Sequence, residues 1–142
     1  MLVKAGSGAL TTSVPSSAGS PESLSKDTLV AVYNDISSVE DLFLAHKDKI
    51  AAVIIEPVAA NMGVVLPKEG FLKNLMDLAR ENGSLVIFDE VITGFRLSLG
   101  GAQGLFNLKP DITCLGKIIG GDVVLKGKCK RCGKEVGRLI EL

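Results

Sequence analysis

The chain has 142 residues, of which 46% are hydrophobic, so it carries enough apolar surface for a folded core and is not a disordered polymer. Its 16 basic and 16 acidic side chains cancel, which removes the excess positive charge that would favour nucleic acid or an anionic membrane as a partner. The longest apolar runs are far shorter than the roughly 20 residues that cross a bilayer, so we expect no membrane-spanning helix.

The amino-terminal residues and the cysteines indicate the compartment. Residues 1–4 are not followed by a sustained apolar region and a small-residue cleavage site, which are the marks of a secretory signal. Three cysteines are an odd number for a disulfide framework. We therefore expect a cytoplasmic protein whose thiols are reduced or bind metal.

The first two segments differ in character. Residues 5–28 are rich in Gly, Ser, Thr and Pro, which predicts an irregular segment. A helix is predicted over about residues 38–48, because Ser37–Glu40 fits a capping box that satisfies free amide groups at a helix start. Its apolar side chains recur every three or four residues and form one stripe that needs a sheet to pack against. The stripe consists of Val39, Leu42, Phe43 and His46.

The next elements are a strand and a helix. Ala51–Ile55 is a continuous apolar run, rich in β-branched residues, that ends at Pro57. This pattern predicts a strand buried on both faces. Residues 70–82 carry apolar side chains at helical spacing, and Gly83 provides a left-handed end, so a second helix is predicted there.

Two further strands complete a sheet. Leu85–Phe88 repeats the buried-strand pattern, and the helix before it makes a crossover long enough for parallel pairing with the first strand. A third short strand is predicted at residues 112–115. The predicted fold is therefore α/β, with a mostly parallel sheet flanked by helices.

Charged residues follow two of the predicted strands. Asp89 and Glu90 come directly after the second strand, and Lys117 comes just after the third. The carboxyl ends of strands in open parallel sheets are where ligands bind. We therefore expect an amine and a carboxylate to meet at this edge of the sheet.

Lys117 and Asp89 suit two different tasks in one reaction. A lysine in a partly apolar site loses its charge more easily, and the neutral amine attacks a carbonyl to form a Schiff base. Pyridoxal phosphate is the commonest aldehyde held in this way, and an acidic residue facing its pyridine nitrogen keeps the ring able to accept electrons. From these two residues alone, a plain ion pair or two solvated strand ends are the competing interpretations.

Seven short stretches occur in a fixed order along the chain. They are Glu56–Val58, Asn61–Gly63, Gly70–Leu72, Phe88–Arg96, Gly100–Gln103, Pro110–Asp111 and Leu115–Gly121. Together they resemble the class III aminotransferases, and the second, fifth and seventh resemble the glutamate-1-semialdehyde aminomutase branch of that family. The resemblance covers about residues 2–121.

The resemblance implies the large domain of a fold-type-I pyridoxal-phosphate transferase and assigns roles to its residues. Lys117 would form the Schiff base with the cofactor and move protons, Asp89 would pair with the pyridinium nitrogen, and Val91 would pack on the ring face. Glu90 and Asn61 would be further cofactor-binding residues at the edge of the site.

The resemblance also implies an activity. The branch moves an amino group within one substrate, glutamate-1-semialdehyde, to give 5-aminolevulinate, the tetrapyrrole precursor, and its full-length members are expected to be homodimers. A general class III ω-aminotransferase with an external amino donor is the alternative. The stretches Asn61–Gly63 and Ala102–Gln103 disfavour this alternative.

The resemblance stops after Gly121, where the family continues with a third Gly and a Pro but this chain has Asp122. We therefore divide the chain into a partial large domain, residues 1–121, and a divergent basic tail, residues 122–142. The family's upstream phosphate-binding loop and its C-terminal domain are also missing from this sequence. We expect weak cofactor binding, low stability and no turnover from the chain alone.

The tail contains a pair of cysteines. Cys129 and Cys132 have the two-residue spacing, and Gly133 the position, of a zinc knuckle. The pair is half of a site, because structural zinc needs four ligands and the others would come from a second chain. The competing interpretations are a basic tail with two free thiols and a fusion scar. The alternative to an enzyme fragment is therefore a non-enzymatic remnant, or a small zinc-knuckle interaction module whose tail is the functional part.

Overall fold

The structure is a computed structural model that describes residues 28–116, 123–128 and 135–140. Its centre is a five-stranded sheet in which the strands lie side by side in chain order. The strands are β1 (Ala52–Ile55), β2 (Leu85–Asp89), β3 (Ile112–Gly116), β4 (Val123–Lys128) and β5 (Glu135–Ile140).

The sheet changes its pairing sense at β3. The pairs β1–β2 and β2–β3 are parallel, whereas β3–β4 and β4–β5 are antiparallel. The α/β class and the three predicted parallel strands are thereby confirmed. No strand is predicted from the sequence at β4 or β5, which form a hairpin on the open side of β3.

The first helix, α1 (Ile36–Ala45), begins two residues earlier than the capping box predicts. Its N-cap is Asp35, whose backbone is extended and whose Oδ1 accepts a hydrogen bond from the amide of Ser37 at 3.1 Å. The prediction of Ser37 as the cap is wrong because an aspartate two residues upstream reaches the same free amide groups. The helix ends at Ala45, with His46 as its C-cap.

The second helix, α2 (Phe71–Glu81), lies where the sequence predicts it. Gly83 follows with a φ of +72°, a left-handed conformation that glycine adopts without strain. Helices α1 and α2 pack together, and α2 covers β2. Among the described residues, no helix is long and apolar enough to cross a membrane.

The hydrophobic core lies between these two helices and one face of the sheet. Its members are apolar side chains that are almost fully buried: Val39, Phe43, Phe71, Leu72, Leu75, Met76, Ala79, Val86 and Phe88. Burying a side chain of this size stabilises the fold by roughly 2 kcal/mol, so the core is what holds β2 in place.

β1 differs from the prediction that both of its faces are buried. Its exposure alternates, with Val53 and Ile55 packed against the core and Ile54 54% exposed. The prediction is wrong because β1 is the edge strand of the described sheet, and the described helices cover only one of its faces.

Two short helices lie near the carboxyl ends of the parallel strands. A single 3-10 turn, Ala60–Met62, follows β1, and a short helix, α3 (Gly101–Leu105), follows the turns after β2. These two elements place the polar groups of the candidate site.

Candidate active site at the carboxyl edge of the parallel strands

The parallel strands end in a row of chemically active residues. Ile55 pairs with Phe88, so Glu56, the next residue after β1, lies beside Asp89 at the end of β2. Asp89 in turn pairs with Cys114 of β3. β3 ends at Gly116. Lys117 follows directly in the sequence and lies outside the described residues.

Asp89 is a half-buried carboxyl group. Its Oδ1 accepts a hydrogen bond of 3.0 Å from the amide of Val91. Burial raises the pKa of Asp89, and the nearby charge of Glu56 raises it further, while the hydrogen bond from Val91 partly opposes the shift. A positively charged group beside Asp89 would oppose this shift of the pKa.

Cys114 lies next to Asp89 on the same face of the sheet. Burial of its side chain, together with the neighbouring charge of Asp89, raises the pKa of the Cys114 thiol to about 11. Because the thiolate is the nucleophile, this cysteine is inert near neutral pH. Its uncharged, buried side chain is the neighbour of the Asp89 carboxyl group on β3.

Glu56 organises the turn that carries Asn61. Its Oε2 accepts from the amide of Ala60 at 3.0 Å, and its Oε1 accepts from Asn61 Nδ2 at 2.7 Å. The amide group of Asn61 is therefore oriented, with its nitrogen toward Glu56 and its oxygen turned away. Asn61 itself is exposed at the edge of β1.

Tyr33 links the residues that follow β1 to helix α2. Its hydroxyl donates to the carbonyl of Pro57 at 3.0 Å, and its ring packs edge-on against Phe71 with centroids 5.3 Å apart. Burial and the charge of Glu56 raise the pKa of Tyr33 to about 12. The hydroxyl stays protonated and keeps donating to the strand end.

Glu90 points away from Asp89, into the protein, and is completely buried. Its carboxylate accepts four hydrogen bonds, and no basic side chain is among the donors. The donors are Thr93 Oγ1, the amides of Ala102 and Gln103, and Gln103 Nε2, at 2.6 to 3.1 Å. A carboxylate is an acceptor on all sides, so this set of donors satisfies it fully.

Two glycines make room for the Glu90 carboxylate and its turn. Gly101 has a φ of +66°, and a Cβ there would lie 2.8 Å from Glu90 Cδ. A Cβ on Gly94 would lie 2.6 Å from Leu115 Cδ2 and 2.8 Å from the carbonyl oxygen of Glu90. Any other residue type at either position would displace Glu90 or the side chain of Leu115.

A cavity of about 550 Å³ lies on the Glu90 side of the sheet. Its walls include Phe95, Leu99, Leu108, Leu115 and the glycines Gly100, Gly101 and Gly104. Neither Asp89 nor Asn61 lines it, so it is separate from the row of residues at the strand ends.

The structure places the predicted site residues in three groups. Asp89, Val91 and Asn61 lie along the carboxyl edge, the first two joined by a hydrogen bond. Glu90 lies on the other side, enclosed by internal donors. Lys117 and the cysteines Cys129 and Cys132 fall outside the described residues. Within the described part of the chain, no group of three or more His, Cys, Asp or Glu could hold a metal ion.

Sequence reasoning missed two contributors to this region. Glu56 enters the sequence analysis only within the stretch Glu56–Val58 and receives no role, although a carboxylate placed just after a buried strand is the signal that identifies Asp89. Gln103 lies within a recognised stretch, but its contact with Thr113 of β3, at 3.1 Å from Nε2 to Oγ1, depends on how the intervening turns fold.

Comparison with known proteins gives the family. The sequence profile described as Aminotransferase class-III matches residues 3–141. The glutamate-1-semialdehyde 2,1-aminomutase of Thermosipho africanus is 64% identical over 140 residues, which are 99% of this chain and 33% of that protein. The protein of the same name from Ruminiclostridium cellulolyticum is 64% identical over 121 residues, 85% of this chain and 28% of its own.

Solved structures agree with this assignment. An ω-transaminase from Sphaerobacter thermophilus aligns with a TM-score of 0.73 at 36% identity, over 82% of this chain and 27% of that chain. A glutamate-1-semialdehyde aminomutase from Pseudomonas aeruginosa, in complex with PMP, aligns with a TM-score of 0.62 at 32% identity, over 72% and 22% respectively.

The chain spans about a third of the length of the curated relatives it matches. The profile nevertheless extends over nearly all of its residues. This chain belongs to the class III aminotransferase family.

Proposed function

We propose that the chain forms part of the cofactor site of a pyridoxal-phosphate-dependent glutamate-1-semialdehyde 2,1-aminomutase. One observation carries the proposal: Asp89 ends β2, and the neighbouring strand β3 leads in a single residue to Lys117. The high identity to proteins named as aminomutases supports this choice of reaction.

Asp89 fits a pyridinium nitrogen. The carboxyl group is half-buried and its pKa is raised, so it gains most from a positive partner. Val91 holds Oδ1 through its amide, and Oδ2 has no hydrogen-bond partner in the part of the chain that the structure describes. Asp89 would keep the ring nitrogen protonated, and the half-buried side chain of Val91 would pack on the ring face.

Lys117 would hold the cofactor through its amine and carry protons to and from the substrate. Bound pyridoxal phosphate supplies an aldehyde that takes up amines and a ring that withdraws electrons from the carbon next to the nitrogen. Asn61, with its amide group fixed by Glu56, would present its oxygen at the same edge.

For Glu90 we propose support of the site through the backbone. Its carboxylate is fully used by internal donors, while its amide donates to the carbonyl of Cys114 at 3.0 Å and so joins β2 to β3. Glu90 thereby fixes the turn that follows Asp89.

The proposed reaction moves an amino group within glutamate-1-semialdehyde and gives 5-aminolevulinate for tetrapyrrole synthesis. A homodimeric assembly and a cytoplasmic location stay predictions, as does the division at residue 121. Zinc binding by Cys129 and Cys132 is likewise untested by the described residues and finds no support in the family.

The test is chemical labelling of the lysine. The 142-residue chain is incubated with pyridoxal phosphate, reduced with borohydride and mapped by peptide mass spectrometry. We expect the label at Lys117 in excess over other lysines, such as the exposed Lys73 of α2. Label scattered evenly over surface lysines would contradict the proposal.

Two variants sharpen this test. Lys117→Arg should remove the selective label and leave the rest of the pattern unchanged. Asp89→Asn should weaken cofactor binding by roughly tenfold, because a neutral amide cannot stabilise the positive nitrogen. Lys73→Arg serves as the matched control and should leave the label at Lys117 unchanged.

The second candidate is an ω-aminotransferase, favoured by the alignment with the Sphaerobacter enzyme. A half-reaction separates the two without requiring turnover. The chain loaded with the amine form of the cofactor is mixed with glutamate-1-semialdehyde or with a simple keto acid, and cofactor absorbance is followed. A change with glutamate-1-semialdehyde alone supports the aminomutase, whereas an equal change with the keto acid supports the aminotransferase.

A further inference from the structure

Gln103 connects two strands that end at the candidate site. Its Nε2 donates to Glu90 Oε1 and to Thr113 Oγ1, each at 3.1 Å. Both hydrogens of the side-chain amide are therefore used, one toward the residue that follows β2 and one toward β3. The backbone amide of Gln103 donates to the same Glu90 oxygen at 3.0 Å, which fixes the residue itself.

This connection lies where the pairing between β2 and β3 runs out. The ladder joins Ile87 to Ile112, Phe88 to Thr113 and Asp89 to Cys114. The amide of Glu90 adds a last hydrogen bond to Cys114. The final two residues of β3 then pair only with β4.

The Gln103 contact and the Asp89 carboxyl group lie on opposite faces of the sheet. Thr113 shares a face with Phe88, its partner in the ladder, and Glu90 lies on that same side. Asp89 and Cys114 share the other face. Gln103 therefore does not touch the row of residues at the site, and it acts on them only through the strands.

We propose that Gln103 is a positioning residue that fixes the ends of β2 and β3 relative to each other, and thereby the spacing of Asp89 and Lys117. The proposal rests on the function proposed above. A misplacement of about 1 Å between a lysine and its partner is enough to lower a reaction rate strongly. A side chain that holds both strands with directed hydrogen bonds prevents such a shift.

The experiment measures the rate at which pyridoxal phosphate and borohydride label Lys117, divided by the rate at Lys73 in the same chain. The variants are Gln103→Met, which keeps the length of the side chain but cannot donate, and Thr113→Val, which removes the acceptor and keeps the shape. We expect each to lower the ratio by roughly tenfold. The double variant should lower it no further than Gln103→Met alone, because that change already removes the contact with Thr113.

Two controls separate positioning from general stability. Ser84→Ala removes a buried hydrogen bond to the carbonyl of Ile50 at the opposite end of β2, and should leave the ratio unchanged at a comparable loss in the urea midpoint. Thr113→Ser keeps the hydroxyl and should restore the wild-type ratio.

The outcomes are distinct. An unchanged ratio in both Gln103→Met and Thr113→Val, with selective label in the wild-type chain, overturns the positioning role and leaves the proposed function standing. An equal fall in Ser84→Ala overturns it as well, since the effect is then one of stability. Absence of selective label on Lys117 in the wild-type chain overturns the proposed function and this inference with it. If Gln103→Met does not fold, Thr113→Val decides alone.

Discussion

The surroundings of Asp89 disfavour the charged form of its carboxyl group. Burial and Glu56 both raise its pKa, and the folded chain holds the proton to a higher pH than the unfolded chain does. As the pH rises above the ordinary value of 3.8, the unfolded chain releases this proton first. The contribution of Asp89 to stability therefore falls with rising pH until the folded carboxyl group has also ionised.

The variant Asp89→Asn should consequently be more stable than the wild-type chain at pH 7. Asparagine keeps an oxygen to accept from Val91 and carries no charge, so we expect a gain of roughly 0.5 kcal/mol, small because the group is partly exposed. Urea unfolding between pH 3 and pH 7 measures it. The difference in free energy of unfolding between the variant and the wild-type chain should grow with pH. A difference that shrinks with pH would contradict the raised pKa of Asp89.

At the scale of residues, the sequence identifies the ends of the strands well. Asp89 and Lys117 are singled out because charged side chains directly follow apolar runs, and this logic needs no three-dimensional contact. Glu56 also directly follows an apolar run. It is missed because the end of that run is assigned to Pro57, and no role is then given to the residue before it. The partners of Glu90 are beyond such reasoning, since they lie 3 to 13 positions further along the chain and meet only after the turns have folded.

The turn between β2 and α3 is built around one buried carboxylate. Gly101 adopts a positive φ, and the space that its Cβ would need is filled by Glu90. Gly63 also has a positive φ, of +94°, but no atom lies within 4 Å of its would-be Cβ. A comparison of substitutions at Gly101 and Gly63 therefore separates the cost of the backbone conformation from the cost of displacing Glu90.

We expect Gly101→Ala to lower the free energy of unfolding by about 3 kcal/mol, since it adds strain and disrupts buried hydrogen bonds. Gly63→Ala should cost about 1 kcal/mol, from the backbone conformation alone. Urea denaturation followed by circular dichroism gives both values. Equal losses in the two variants would mean that the contact with Glu90 contributes nothing.

Helices and parallel strands are predicted to within a few residues because their apolar periodicity is strong. The start of α1 is misplaced because Asp35 and Ser37 are both good capping residues, and the choice depends on the backbone before the helix. The burial of β1 is mispredicted because a continuous apolar run shows only that both faces of a strand are apolar. Whether other elements cover both faces depends on the rest of the fold. β4 and β5 lack both a clear alternation and a long apolar run, so nothing in their composition indicates strands.

On the scale of the whole molecule, the chain leaves much apolar surface in contact with water. Exposed apolar side chains in the described part of the chain include Leu99 (94%), Leu44 (79%), Phe95 (66%) and Ile54 (54%). Ile54 lies on β1, the edge strand of the described sheet, and an apolar edge strand pairs readily with another chain. The relatives are about three times longer than this chain.

We therefore expect Ile54→Lys to reduce self-association of the chain, because a charge on an edge strand opposes pairing with a second edge. Sedimentation velocity over a range of protein concentrations measures the effect, and circular dichroism should show unchanged secondary structure. Leu44→Lys, which places the same charge on an exposed site of α1, is the matched control and should have a smaller effect. An equal reduction in both variants would assign the association to general hydrophobicity.

β3 belongs to both halves of the sheet, and Gly116 pairs with Val123 across the link formed by residues 117–122. This pair lies beyond the last residues of β3 that pair with β2, so β4 alone holds the final two residues of β3 by backbone pairing. The antiparallel half of the sheet therefore keeps the direction of the β3 end where the parallel half no longer reaches it.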